Sequence, residues 1–76
     1  MSVYKVIEII GTSPDSWEDA GTSAIKRAAE TLRDLRIAEV VAQDIEVGDG
    51  DRLVFRTKLR VSFKYEDATF LTPEHL

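Results

Sequence analysis

The side chains that could hold an ion or a ligand fall into two sets. Five carboxylates, Glu39, Asp44, Glu46, Asp49 and Asp51, lie within one short stretch. Carboxylate oxygens are ligands for hard cations such as calcium. Just beyond them, Arg56, Lys58, Arg60 and Lys64 share one parity with Val54 and Ser62. That spacing is a basic stripe able to meet acids or a small anion. Chemistry beyond binding finds few reagents. Cysteine is absent, which excludes disulfides and thiolate metal sites. A single histidine, His75, leaves no Ser-His-Asp set, and no glycine-rich phosphate loop occurs. Glu30 and Asp34 are four apart, but on a helix they read as a solvated face rather than an acid/base pair. The GDGD stretch, residues 48–51, invites an EF-hand comparison. A loop starting at Asp49 would place Leu53 and Arg60 at its fifth and twelfth positions, where oxygen ligands are required, so that motif fails. Asp49 and Asp51 remain candidates for a looser cation site, and a turn is the better account of them. Nothing in the sequence argues for an enzyme.

These residues need elements to position them. Residues 53–65, LVFRTKLRVSFKY, alternate strictly, with Leu53, Phe55, Thr57, Leu59, Val61, Phe63 and Tyr65 on one parity. A period of two predicts a strand with one apolar and one basic face. Residues 3–10 are rich in β-branched types and predict a strand apolar on both sides, interrupted by Lys5 and Glu8. Such a strand is expected at the centre of a sheet or at a subunit contact. Ser13-Pro14 predicts a helix start with Ser13 as the cap, and Asp15, Glu18 and Asp19 suit the positive end of the helix dipole. Trp17, Ala20, Ala24, Ile25, Ala28, Leu32 and Leu35 form one stripe, predicting a helix over 14–35. Residues 37–47 predict a second strand, in which adjacent Val40-Val41 implies either a bulge or burial on both sides. The Gly-Asp turn then joins it to the basic strand as a hairpin, setting Glu39, Asp44 and Glu46 against Arg52, Arg56, Lys58 or Arg60. Residues 66–76 lose the alternation and read as a C-terminal tail after a domain spanning 1–65.

The order β-α-β-β predicts an α+β fold, a three-stranded antiparallel sheet carrying one helix. With 76 residues the chain is one domain with a small core. Without disulfides, self-association is the expected supplement, and it would also hide the open sheet edges. A net charge of −4 argues against a nucleic-acid partner. No apolar run of ~18 residues suggests a membrane span. The N-terminal residues enter a strand pattern without a signal-peptide pattern, so a cytoplasmic location is expected.

Residues 3–65 resemble the dodecin family. The likeness is carried by VYKVIEIIGTSPDSWEDA, by AIKRAAETL in the helix, and by AEVV followed by the alternating strand. The resemblance implies a sheet wrapped partly around the helix, and twelve such subunits assembled as a hollow homododecamer with helices outside and sheets inside. It implies a binding or storage protein for a small ligand, often a flavin (riboflavin or FMN), and not an enzyme. In flavin-binding dodecins a Trp stacks on the ring and a Gln on the last strand bonds its edge. Here those positions hold Ile37 and Arg56. Ile37 has no π-face, and Arg56 puts a charged fork where the family has a neutral amide. The chain is therefore similar to the branch lacking the flavin-stacking Trp, which includes calcium dodecins. By this resemblance Ile37, Gln43 and Arg56 are the expected ligand contacts. Glu39, Asp44, Glu46, Asp49 and Asp51 are the candidate cation ligands, and inter-subunit salt bridges are the better account of most of them.

Overall fold

A computed structural model describes residues 2–65. The tail at 66–76, with His75, Phe70 and Leu71, lies outside the described residues. The chain runs as strand β1 (Tyr4–Ser13), helix α1 (Trp17–Ala29), strand β2 (Leu35–Val47), a 3₁₀ turn (Asp49–Asp51) and strand β3 (Leu53–Lys64). This is the expected β-α-β-β order. The sheet is antiparallel throughout, and its spatial order is β1-β3-β2. The alternating strand, not β1, is therefore central. The apolar character of β1 on both faces does not reflect burial by this chain: Tyr4, Val6 and Ile10 are exposed.

The helix differs from its predicted span at both ends. Ser16, not Ser13, is the N-cap, its Oγ accepting from the Asp19 amide at 3.0 Å. Ser13 belongs to β1, where its buried hydroxyl accepts from the amide of Asp15 at 2.9 Å and donates to the Asp19 carboxylate at 2.7 Å. Both serines satisfy the cap chemistry, so the motif left a three-residue ambiguity. At the other end, the amides of Thr31 and Leu32 both reach the Ala28 carbonyl, tightening the last turn. Asp34 then takes a left-handed φ of 56°, and β2 begins. Leu32 and Leu35 keep to the apolar side without being helical. A stripe at spacings of three and four cannot separate a helix from a helix followed by a turn that folds back over the same core.

The helix lies on the apolar face of β3 and β1. Leu59 and Val61 of β3 and Ala20 and Ala24 of the helix are the buried apolar residues, with Ile7, Ile9 and Leu35 against them. Thr57 is buried at the helix start, and its hydroxyl donates to the Trp17 carbonyl at 2.8 Å. Thr57→Val keeps the shape and removes the donor. It is expected to cost about 1 kcal/mol, read as a lower midpoint in urea with an unchanged slope.

Beyond Leu35, β2 is exposed along its whole length. Register shifts at Leu35/Ile37 and Val40/Ala42 bend it, the second matching the bulge reading of Val40-Val41. The molecule is long and thin, 53 × 22 × 14 Å.

Candidate ligand-binding face

On the side of the sheet away from the helix, the even positions of β3 meet carboxylates from both edge strands. Arg56 lies opposite Asp44, and its Nε and Nη2 donate to the two carboxylate oxygens at 2.6 and 2.8 Å. Glu8 of β1 bridges Lys58 at 3.3 Å and Arg60 at 3.0 Å, and Arg60 also reaches Glu39 at 3.6 Å. The basic stripe is thus matched by acids along its middle. The alternation of β3 and the hairpin register produce the β2 pairs, as the sequence predicts. Glu8 was missed as a partner. Its signal is a lone acid in an apolar strand, on the same face as the stripe.

These pairs are half-exposed, so solvent screens them and each is worth little alone. Their charge-assisted hydrogen bonds still move the titrations. The Arg60 and then the Lys58 bonds to Glu8 hold its carboxyl below the ordinary glutamate range. The Arg56 bond does the same for Asp44, and in return raises the Arg56 guanidinium. A carboxyl lowered in the folded state stabilises that state above its unfolded pKa, and the contribution fades as pH falls through the folded value. Melting temperature should therefore hold from neutrality to about pH 5 and fall below about pH 4. Glu8→Gln should flatten part of that fall; an identical acid limb in the variant would remove Glu8 from the account.

The five candidate cation ligands are not gathered. Asp44 is committed to Arg56 and Glu39 to Arg60, Glu46 lies near the Arg56 charge, and Asp49 and Asp51 stand in the hairpin turn. Among the described residues, no group of three or more His, Asp or Glu is placed to hold a metal ion. The three expected ligand contacts are also spread out. Ile37 pairs with Ser62, while Arg56 lies six residues back along β3, about 20 Å away in an extended strand. Gln43 pairs with buried Thr57, on the helix side of the sheet. It lines an open groove of about 520 Å³ with Trp17, Thr22, Ile25 and Val40. Trp17 anchors that groove: its Nε1 donates to the Asp44 carbonyl at 2.9 Å, and its ring meets Phe55 edge-on at 5.3 Å. This is the packing role expected of Trp17. On the opposite face, Ile10, Ala42, Asp44, Arg56 and Lys58 line a smaller depression of about 210 Å³.

The structure is thus a thin antiparallel sheet with one helix on one face and ion pairs on the other. The chain belongs to the dodecin family: the family model named Dodecin matches residues 3–66. It is 52% identical over 68 residues to calcium dodecin of Mycobacterium tuberculosis, covering 90% of this chain and 96% of that protein. To the dodecin of Thermus thermophilus it is 35% identical over 65 residues, covering 86% and 94%. The crystal structure of the M. tuberculosis calcium dodecin, described as calcium-chelating with a novel calcium-binding site, superposes with a TM-score of 0.81 at 51% identity, covering 86% of this chain and 93% of that one. The dodecin of Streptomyces davaonensis gives 0.79 at 32% identity, covering 86% and 96%. No helix among the described residues is long and apolar enough to cross a membrane.

Proposed function

We propose that the chain is one subunit of a hollow homododecameric shell that binds or stores a small ligand and performs no reaction of its own. One observation carries this reading. Among the described residues, four apolar ones are buried in the single chain while twelve large apolar side chains are exposed, Ile37 at 66% and Val47 at 74% among them. So much exposed apolar surface marks a molecule that is completed by partners. The separation of Ile37 from Arg56 and Gln43 points the same way, since a site using them has to draw on more than one copy. The ligand is not a stacked flavin: Ile37 offers no ring, and Arg56 is tied to Asp44. Light scattering on purified protein is the test. A mass near 100 kDa, about twelve times the 8.5 kDa chain, is expected for a closed tetrahedral assembly; a monomer at micromolar concentration would sink the reading.

A second reading, calcium as the bound species, is favoured by the 52% identity to calcium dodecin. Because one chain gathers no metal cluster among its described residues, such a site would be shared between copies. A melting temperature that drops with EDTA and recovers with calcium chloride supports it. Superimposable melting curves would leave the shell without calcium.

A further inference from the structure

Among the described residues, Glu18 and Lys26 on the helix are in no ion pair, and the other charges without an ion-pair partner are gathered at the two ends of the sheet. Along the middle of the sheet, Glu8, Glu39, Asp44, Arg56, Lys58 and Arg60 are all paired. At the hairpin end, Glu46, Asp49 and Asp51 are in no ion pair among the described residues, and Asp15 and Asp19 lie on the same side, at the helix start. At the opposite end stand Lys5, Arg33, Arg36 and Lys64. The register fixes this: Lys5 pairs with Phe63, Lys64 with Tyr4, and Leu35, flanked by Arg33 and Arg36, pairs with Phe63. None of these four bases is in an ion pair among the described residues. Arg52 and Asp34 are the charges of opposite sign at the two ends. A molecule 53 Å long thus has an acidic tip and a basic tip. Each tip also exposes apolar side chains, Val47 and Leu53 at the acidic one, Val3 and Ile37 at the basic one.

We infer that the two tips dock on each other between copies: the acidic hairpin of one subunit seats on the basic end of the next. Each contact has apolar residues within a charged rim, the usual anatomy of a protein interface. It is heterologous, because different surfaces meet, and heterologous contacts close into rings when the rotation allows. A shell of tetrahedral symmetry needs such contacts around its three-fold axes, so the inference rests on the proposed assembly and names the surface that builds it. The charges supply direction more than strength. Tip-to-like-tip contacts are repelled, so the ring can be joined in one sense only. In sequence, Glu66 and Asp67 follow directly after Tyr65.

The test reverses each tip. Glu46→Lys with Asp49→Lys makes both ends basic, and Arg33→Glu with Arg36→Glu makes both acidic. Asp51 is left alone because its φ of 65° disfavours lysine. The four-fold variant swaps the ends and restores complementarity. In about 20 mM salt, each two-fold variant should need roughly tenfold more protein to reach half-assembly. The four-fold variant should return to within about threefold of the parent, and about 500 mM salt should narrow the differences. Far-UV circular dichroism confirms that each variant is folded, and the parent's own salt dependence tests the contact without any substitution. If the parent assembles and the two-fold variants assemble equally well, the tip contact is wrong and the shell reading stands. Assembly altered by Glu66→Lys with Asp67→Lys, but not by reversing the hairpin, assigns the basic end to the chain's own acids and overturns it. A parent that stays monomeric removes both readings.

Discussion

Gly11→Ala is expected to lower the melting temperature by roughly 5–20 °C, the equivalent of about 1–3 kcal/mol in a domain of this size. Gly11 is buried in β1 beneath the helix. A Cβ built there would overlap the Ala20 carbonyl oxygen and come within 2.9 Å of the Ala24 Cβ. The oxygen is backbone, so no rotamer change relieves the overlap; the helix has to move off the strand. That movement would loosen Ala20 and Ala24 from Leu59 and Val61, which are nearly the whole buried core. A domain with so small a core has little stability to lose. Gly48→Ala is the matched control. Its Cβ would meet the Arg52 carbonyl oxygen at an ordinary 3.5 Å, and its φ of −99° suits any residue. It should stay within about 0.5 kcal/mol of the parent. Equal losses in the two variants would mean that the helix–strand approach at Gly11 is not tight in solution.

The close approach at Gly11 was not visible in the sequence, although the glycine was. In sequence, a glycine shortly before Ser-Pro suggests a turn leading into a helix start. Only the three-dimensional register shows that Gly11, paired with buried Thr57, lies under Ala20. The legible features were those set by local period. The alternation of β3 gave its two faces, the acids of β2 and the hairpin gave the Asp44–Arg56 and Glu39–Arg60 pairs, and adjacent valines gave the bulge as one of two readings. Strand order was left open between a central strand and a subunit contact for a physical reason. Apolar side chains on both faces of β1 suggest a central strand when burial is assumed to come from the same chain. Here β1 is an edge with Tyr4, Val6 and Ile10 exposed, and the amphipathic β3 is central. The same assumption limits the candidate site. Ile37, Gln43 and Arg56 come from one sequence but do not meet in one chain; under the proposed assembly the site would be divided between copies, and such a site leaves no local spacing to recognise.

Installing Trp at position 37 and Gln at position 56 is expected to create flavin binding where the parent has none. Riboflavin emission should be unchanged by the parent at micromolar concentration and quenched by the Ile37→Trp/Arg56→Gln variant, with at least tenfold tighter binding. An aromatic pair adds ~0.5–1.5 kcal/mol beyond burial, which at its upper end reaches the ~1.4 kcal/mol that a tenfold change requires. Ile37 is 66% exposed in the single chain, so a larger ring meets no packed core there. Arg56→Gln removes a bidentate pair whose two partners are half-exposed and screened by solvent, so little stability is lost. Both changes are needed, since each position faces a different obstacle: a missing π-surface at 37 and a charge already satisfied by Asp44 at 56. Arg56→Gln alone should therefore leave riboflavin emission unchanged. Quenching by the parent would show that isoleucine and the Arg56–Asp44 pair do not exclude the ring. A correctly assembled double variant that still fails to quench would move the obstacle to other residues of the groove or the shared face.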